Sequence, residues 1–157
     1  MTRGAAQVAT SSRSGDEEPS LGVLLFIPYR HMEQRILDAV VAAGYPITLT
    51  QARLFQRVNP NGSRLTTLAS AAQVTKQAAK FLVDQLEAGG YVERVADPDD
   101  GRARLVRITE RGRAVIDVAT TVEREIEQEW LSHLGAPRTQ ELRRMLLRLR
   151  EITDPFG

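Results

Sequence analysis

The sequence predicts a mainly α-helical protein with one small β-sheet, in the α+β fold class. Residues 66–72 and 75–88 have the apolar spacing of two short helices. Residues 91–95 and 103–108 then alternate in hydropathy like the two strands of a hairpin, and a loop over 97–102 joins them. Two helices followed by a two-stranded wing form a winged helix-turn-helix. We expect that module to be the centre of the fold.

Two further helices are expected to precede that module. The first spans 21–43, and Gly44 and Pro46 end it. Its apolar positions recur every three or four residues at Leu25, Tyr29, Met32, Ile36 and Val40. The second helix spans 51–58 and ends in a segment rich in turn-forming residues.

Three threonines are expected to begin helices, because a hydroxyl at the N-cap accepts a hydrogen bond from an otherwise unpaired backbone N–H. Thr50 stands before the second helix, Thr66 at the start of the third and Thr75 at the start of the fourth. Residues 63–65 precede the third helix and are expected to add a short strand to the wing.

Two longer helices are expected after the wing, over 109–134 and about 138–152, with Gly135 and Pro137 between them. The winged module is too small to cover their apolar faces and that of the first helix. We therefore expect a second copy of the chain to cover them about a two-fold axis. The alternative is an intramolecular bundle of six helices. The apolar faces consist of Val115, Ala119, Val122, Ile126 and Trp130, and of Leu142, Met145, Leu146, Leu149 and Ile152.

The predicted domain organisation is a tail followed by one domain. Residues 1–20 are rich in Ser, Thr, Gly and Ala and lack the apolar centre of a secretory signal, so we expect a disordered tail. Residues 21–157 form a single domain. Within it, 21–45 and 114–157 are the expected dimerisation helices, and 46–113 is the winged helix-turn-helix.

Composition excludes several kinds of site. The chain has no cysteine, which excludes disulfides, thiolate metal sites and thiol-based redox sensing. No apolar run reaches the roughly 18 residues of a membrane span, so we expect a cytoplasmic protein. The two histidines, His31 and His133, are far apart in sequence, and we expect neither a metal nor a cofactor.

The distribution of charge favours double-stranded DNA as a partner, although the net charge of the chain is only +1. Residues 64–113 carry nine Lys or Arg and seven Asp or Glu, a net charge of +2. Residues 114–134 carry one Arg and five Asp or Glu, a net charge of −4. The only two lysines, Lys76 and Lys80, both lie in the fourth helix.

A set of short motifs occurs in order along the winged module. The motifs are Leu68-Ala69, Val74-Thr75-Lys76, Val83-Asp84-Gln85-Leu86-Glu87, Gly90-Tyr91-Val92-Glu93-Arg94, Asp97-Pro98-Asp99-Asp100-Gly101-Arg102 and Ile108-Thr109-Glu110-Arg111-Gly112. At these spacings they resemble the MarR (multiple antibiotic resistance regulator) family of bacterial transcription factors, and the similarity covers roughly residues 21–153. The resemblance implies a homodimeric winged helix-turn-helix, usually a repressor, often released from DNA by a small phenolic or aromatic ligand.

Three residues depart from the pattern of that family. Gln73 stands where the family often has glycine in the turn, so it must adopt an unusual backbone angle or reshape the turn. Ala78 and Phe81 stand where members often carry Thr and Arg. The fourth helix therefore offers fewer polar groups for reading bases than is usual in the family.

The start of the fourth helix carries the main candidates for DNA binding. Thr75, Lys76 and Lys80 lie where the helix dipole and the added positive charge favour phosphate. Gln77 is expected to pair with an adenine in the major groove. The alternative is that these side chains are only the solvated face of a buried helix.

The wing supplies the remaining candidates. Arg102 is expected at the tip of the loop, where it enters a narrow minor groove, and Asp100 is expected to hold its guanidinium. The alternative is a solvated hairpin with a surface ion pair of little energetic worth. Arg94 and Arg104 on the strands serve either phosphates or fold packing. Arg64, before the third helix, is a further phosphate candidate.

A ligand site is expected between the terminal helices and the winged module, as the resemblance implies. Phe26 and Tyr29 offer aromatic surface, and Arg30 and Arg53 offer a cation for an aromatic acid or a phenolic compound. Ordinary packing and solvated charge are the alternative interpretation of all four residues.

Three classes of function compete, and the first is a sequence-specific DNA-binding regulator. The second is a winged helix used as a protein-interaction module, which an exposed Phe81 would favour. The third is an enzyme, for which the sequence has no metal cluster, phosphate-binding glycine loop or nucleophile–base signature. We therefore expect a regulator rather than an enzyme.

Overall fold

The computed structural model describes residues 18–154, so the predicted tail over 1–20 lies almost wholly outside the described residues. The described chain contains six α-helices and three β-strands, mainly α-helical as expected. In chain order they are α1 (Leu21–Ala42), α2 (Leu49–Phe55), β1 (Ser63–Arg64), α3 (Leu65–Ala71), α4 (Lys76–Ala88), β2 (Val92–Asp97), β3 (Asp100–Ile108), α5 (Glu110–Leu134) and α6 (Ala136–Thr153).

The start of α2 differs from the prediction. Its N-cap is Thr48, two residues before the expected Thr50. The Thr48 hydroxyl accepts a hydrogen bond from the Gln51 backbone N–H at 3.3 Å, and the Gln51 side chain accepts one from the Thr48 backbone N–H at 2.9 Å. This reciprocal capping box satisfies two N–H groups, whereas a cap at Thr50 would satisfy one, so the helix begins earlier.

The caps of α3 and α4 contrast with each other. Thr75 caps α4 as expected, since its hydroxyl accepts a hydrogen bond from the Ala78 backbone N–H at 3.1 Å. Thr66 caps nothing, because α3 begins one residue earlier and its N-cap, Arg64, makes no side-chain capping bond. The strand β1 ends at Arg64, so the chain passes directly from the sheet into the helix.

The three strands form an antiparallel sheet in the order β1-β3-β2. The hairpin is longer than expected, since Asp97 pairs with Asp100 across a turn of two residues, Pro98 and Asp99. Arg102 consequently lies in β3 rather than at the tip of a loop. The predicted loop over 97–102 was too long because the acidic, glycine-containing sequence there also permits a tight hairpin turn.

The hydrophobic core lies where the winged module meets α1 and α5. Its largest fully buried side chains in the module belong to α2, α3, α4 and β2, and one turn of α5 contributes Val115. At the start of α5 a Cβ on Gly112 would lie 2.2 Å from the carbonyl oxygen of Tyr91, the residue before β2, so only glycine allows the helix to approach the chain so closely there. The core side chains include Leu54, Leu68, Leu82, Val83, Leu86, Tyr91, Val92 and Val106.

The two terminal helices are largely uncovered within the chain. No residue of α6 is buried, and Ile152 is 83% exposed. On α1, two residues of the predicted stripe, Leu25 and Tyr29, are exposed, and so are Leu21, Leu24, Phe26 and Ile27. The alternative intramolecular bundle of six helices is therefore not formed by residues 18–154. None of the helices in that range has both the length and the apolarity to cross a membrane.

The last helix begins two residues before its predicted start. Gly135 has φ 81 and separates α5 from α6, as expected of a glycine at a helix end. Pro137 lies in the first turn of α6 rather than in the connection, because a missing N–H costs nothing where no intrahelical acceptor exists.

Candidate nucleic-acid interface

One face of α4 is buried and the opposite face is open to solvent. Ala79, Leu82, Val83 and Leu86 anchor the helix against α2 and α3. The solvent face presents the candidate DNA-binding side chains of Lys76, Gln77 and Lys80. Phe81 lies on the same face and is 62% exposed. The solvent face of α4 therefore carries the polar side chains that DNA binding requires. It also carries the exposed Phe81 ring that would favour a protein-interaction module.

The turn between α3 and α4 forms with Gln73 in the left-handed region, at φ 54. The Val74 N–H donates to the Ala69 carbonyl at 2.9 Å, and the Gln73 N–H donates to the Ser70 carbonyl at 3.1 Å. This pair of bonds is a Schellman motif, which requires a positive φ at the position of Gln73. The expectation of an unusual backbone angle is confirmed, and the turn keeps its shape at the cost of strain in a residue with a Cβ.

The two lysines of α4 differ in their surroundings. Lys80 Nζ lies 2.8 Å from Asp84 Oδ2, one helical turn later. The bond from Lys80, together with one from Arg94, lowers the pKa of the Asp84 carboxyl. Lys76 is exposed and makes no ion pair within the described residues. The positive charge of Lys76 is thus the less compensated of the two.

Arg94 is held by carboxylates of α4. Its Nη2 donates to Asp84 Oδ1 at 2.5 Å, and its Nη1 bonds to the Glu87 carboxylate. The Glu87 carboxylate also accepts the Arg94 backbone N–H at 3.0 Å. These bonds join β2 to α4, so the geometry favours fold packing over the phosphate role that the sequence left open.

Arg64 is bound to a buried carboxylate at the end of β2. Its Nε and Nη2 donate to Asp97 Oδ2 at 2.9 and 2.6 Å, and the Asp97 side chain is only 6% exposed. The Asp99 backbone N–H and then Arg64 lower the pKa of the Asp97 carboxyl. Arg64 therefore links the start of α3 to the turn of the wing, and its charge is largely neutralised where a phosphate contact was expected.

Arg102 and Arg104 project from β3 as exposed side chains without an ion pair among the described residues. The Asp100 carboxylate accepts a hydrogen bond from the Arg102 backbone N–H at 3.2 Å. It lies 3.7 Å from Arg64 Nη2 and makes no bond to the Arg102 guanidinium. The expected role of Asp100 is thus corrected: it orders the backbone of the hairpin and leaves the Arg102 side chain available.

A cavity of about 420 Å³ lies between α1, α2 and α5. Its walls are mainly apolar, and its charged lining residues are two acids, Glu33 and Glu123, with no Lys or Arg. Tyr29 is the only one of the four predicted ligand-binding residues that lines it. Apolar lining residues include Met32, Ile36, Val40, Phe55, Val115 and Ala119.

The other three predicted ligand residues are occupied elsewhere. The Arg30 guanidinium lies 5.7 Å from the centre of the Phe26 ring, on the exposed part of α1. Arg53 donates two hydrogen bonds, of 2.7 and 2.8 Å, to the buried Glu33 carboxylate. The hydrogen bonds from Arg53 lower the pKa of the Glu33 carboxyl. The Tyr29 hydroxyl donates a hydrogen bond of 3.3 Å to Glu33. The pKa of Tyr29 is raised, mainly by burial and then by the negative charge of Glu33.

Two residues important for the interface were missed by the sequence reasoning. Asp84 stands four residues after Lys80, and that helical spacing alone was a signal for a stabilising pair. The sequence places Asp97 only in the predicted loop over 97–102. Asp97 is buried beside Arg64, which is 33 positions away in the sequence, and no local pattern of residues indicates such a pair.

The chain is similar to known proteins over most of its length. A model of the MarR family matches residues 45–103, from the end of α1 to the wing. The HTH-type transcriptional repressor Rv2887 of Mycobacterium tuberculosis is 39% identical over 135 residues, which is 85% of this chain and 95% of that protein. The chain belongs to the MarR family. It is therefore a DNA-binding transcription regulator, not an enzyme.

Solved structures of MarR proteins have the same fold. Apo MarR from E. coli has a TM-score of 0.67 at 23% identity, over 85% of this chain and 98% of that one. CouR from Rhodococcus jostii RHA1, bound to p-coumaroyl-CoA, has a TM-score of 0.66 at 25% identity, over 87% and 93% of the two chains. Their similarity agrees with a winged helix-turn-helix, in which α3 and α4 precede the hairpin of β2 and β3.

Proposed function

We propose that this MarR-family chain is a homodimeric repressor that reads a palindromic operator with α4 and its wing. The observation that carries the DNA-binding site is the exposed face of Lys76, Gln77 and Lys80 on α4, and the exposed Arg102 and Arg104 of β3 add positive charge on the wing. The N-terminus of α4 adds a dipole that attracts phosphate. The designation of Rv2887 as a repressor supports the direction of regulation.

Purified protein and a random duplex library test this proposal directly. Repeated selection of bound duplexes at low ionic strength is expected to enrich one inverted repeat. Placing that repeat across a promoter is then expected to reduce transcription in vitro when the protein is added. Absence of any enriched sequence contradicts specific DNA binding, whereas an enriched site without two-fold symmetry contradicts only the palindrome.

The exposed apolar residues of α1 and α6 support the homodimer. Leu24, Ile27, Met145 and Leu147 are each at least half exposed, and both helices would gain burial against a second copy. Sedimentation equilibrium is expected to give twice the 17.4 kDa mass of the chain. Leu147→Glu is expected to weaken the dimer, and Gln140→Glu, which adds the same single negative charge at an exposed polar position of the same helix, serves as the charge-matched control. A monomer at micromolar concentration contradicts the proposal.

The effector that the cavity favours is a neutral phenolic compound rather than an aromatic acid. The only charged groups on its walls are carboxylates, and the nearby Arg53 is already bound to Glu33. An anionic ligand would therefore lose its hydration on mainly apolar walls without a free cation to pair with. The p-coumaroyl-CoA bound in CouR has a phenolic acyl group, which supports a phenolic ring in the effector.

A matched panel of phenols and aromatic acids tests the effector. Phenol-type compounds are expected to raise the melting temperature and lower DNA affinity, and salicylate and benzoate to do so less. Ala119→Leu narrows the cavity from its α5 wall and is expected to reduce both effects. No thermal shift with any member of the panel argues for a regulator without an effector of this kind.

A further inference from the structure

Phe81 is an isolated apolar side chain on the DNA-facing helix. It lies in the middle of α4 and is 62% exposed, although the apolar stripe of that helix is fully buried. Within residues 46–113 it is the one large hydrophobic side chain that is this exposed. The other exposed large hydrophobic side chains of the described chain lie on α1, α5 and α6. Phe81 is therefore outside the faces proposed for dimerisation.

The surroundings of Phe81 match nucleic acid better than an apolar protein groove. Lys76 and Lys80 lie on the preceding turn, and the N-terminus of the same helix is positive. The one neighbouring acid on this face, Asp84, is bonded to both Lys80 and Arg94. A protein partner for a single ring would have to bring apolar surface next to these cations, whereas duplex DNA offers phosphate for the cations.

The major groove also offers an apolar group for the ring. Thymine is the only standard DNA base with a methyl group in that groove, and phenylalanine is among the side chains that contact it. Gln77 stands one helical turn before Phe81, and its amide suits the N6 and N7 atoms of adenine. One helical turn is about 5.4 Å, and successive base pairs are about 3.4 Å apart.

We infer that Phe81 is a specificity residue that contacts the C5-methyl group of a thymine within about two base pairs of the base bound by Gln77. This inference rests on the proposed function, since it requires α4 to lie in the major groove. Gln77 is the one polar side chain of α4 proposed to pair with a base, and the inference assigns a second base contact to the Phe81 ring. Each half-site is then expected to contain an adenine and a nearby thymine at a constant spacing.

Replacement of single thymines by deoxyuridine tests the inference at the level of one methyl group. The probe is the duplex enriched from the random library, with each thymine of one half-site replaced in turn. For the wild-type protein, one replacement is expected to weaken binding about fourfold, the fold-change that corresponds to burial of one methyl group. The other replacements are expected to have little effect.

The variant Phe81→Ala identifies the side chain that is responsible. It is expected to bind the thymine duplex more weakly and to bind the thymine and deoxyuridine duplexes equally. Because the ring is exposed, the melting temperature of the variant is expected to stay unchanged. Arg107→Ala, which truncates an exposed side chain of the wing that is already paired with Glu93, serves as the control and is expected to keep the fourfold preference.

The outcomes separate this inference from the proposed function. If no duplex is enriched, specific DNA binding itself is contradicted and the inference fails with it. If a duplex is enriched but its half-site lacks thymine, or no methyl group matters, only the inference is overturned. If Phe81→Ala still prefers the thymine duplex to the deoxyuridine duplex, another residue contacts the methyl group and the inference is overturned. Unchanged DNA affinity in Phe81→Ala leaves the ring as a surface for a protein partner and overturns the inference.

Discussion

Arg64 and Asp97 join the start of α3 to the turn of the wing, with Arg64 Nη2 2.6 Å from the buried Asp97 Oδ2. Arg64 is also the last residue of β1, so one side chain connects β1 and the start of α3 to the turn between β2 and β3. Since Asp100 lies 3.7 Å from the same guanidinium nitrogen, the pair also orders the backbone that leads to Arg102.

The variant Asp97→Asn is expected to weaken operator binding several-fold while the rest of the fold persists. An amide at this position lacks the negative charge that holds the Arg64 guanidinium, so the turn between β2 and β3 loses its fixed position. Fluorescence anisotropy with the selected duplex measures the affinity. Glu93→Gln removes a carboxylate from an exposed pair with Arg107 in the same sheet and should bind normally. Equal affinities for the two variants would show that this ion pair does not position the wing.

The variant Arg102→Ala is expected to weaken operator binding roughly tenfold, as for the loss of one hydrogen bond to a charged group, and to leave the dimer intact. The guanidinium is exposed and unpaired among the described residues, so it is available for a minor groove. Arg107→Ala, in the same strand, removes a charge already compensated by Glu93 and serves as the control. Unchanged affinity in Arg102→Ala would remove the wing from the binding mechanism.

The variants Lys76→Ala and Lys80→Ala are expected to lower affinity for all duplexes and to reduce the dependence on salt. Each lost phosphate contact should reduce the slope of log affinity against log salt by about 0.9. Lys80 is bonded to Asp84 in the free protein, so its removal is expected to cost less than removal of Lys76. Titrations at four salt concentrations measure both slopes, and a slope equal to that of wild type rules out a phosphate contact for that lysine.

The variant Gln73→Gly is expected to raise the free energy of unfolding by about 0.5–1 kcal/mol, because glycine adopts the left-handed region without the clash of a Cβ. The gain is less than the full strain because glycine also increases the freedom of the unfolded chain. Urea denaturation measures the difference. Gln73→Ala removes the side chain but keeps the Cβ at φ 54, so it should give no gain. A gain of equal size in both variants would contradict backbone strain as the cause.

The ion pair of Glu33 and Arg53 is expected to contribute to acid sensitivity. The pKa of Glu33 is lowered by hydrogen bonds from Arg53. Such a group contributes stability above the unfolded glutamate pKa of about 4.3, and this stability is lost as the pH falls through the lowered folded value. Glu33→Gln is therefore expected to be less stable than wild type at pH 7 and to lose less stability below about pH 4.3.

Urea denaturation at a series of pH values measures this difference. Asp117→Asn removes an exposed carboxylate that has no ion pair among residues 18–154, and it should follow the wild-type profile. Parallel acid profiles for wild type and Glu33→Gln would show that the α1–α2 ion pair does not contribute to the loss of stability in acid.

The helix α4 and the wing were predictable because their signals are local. The apolar spacing of α4, the hydroxyl of Thr75 at its N-cap and the alternation of β2 and β3 each depend on residues a few positions apart. The Gln73 turn was also foreseeable, since glycine is the usual residue for a positive φ. Errors of one or two residues occurred where two local signals competed, as they did for Thr48 and Thr50.

The roles of the charged candidates were less predictable. Arg64 and Arg53 were predicted as cations available for a phosphate or a ligand, and Arg94 for either a phosphate or fold packing. Each is bound by carboxylates in the fold. Arg102 and Lys76 were selected by the same reasoning and remain exposed without an ion pair in the described part of the chain. Residue type and local spacing do not distinguish these two groups.

By itself, the sequence determined the helices, the wing, the capping hydroxyl of Thr75 and the family, because these follow from short-range patterns of apolar, polar and turn-forming residues. Tertiary structure alone decided which charges remain free and which apolar side chains remain exposed. Glu33 and Arg53 are 20 residues apart, and Arg64 and Asp97 are 33 apart. A charge is neutralised only when folding brings its counter-charge within a few ångströms, and a ring such as Phe81 stays exposed only if no other element packs over it.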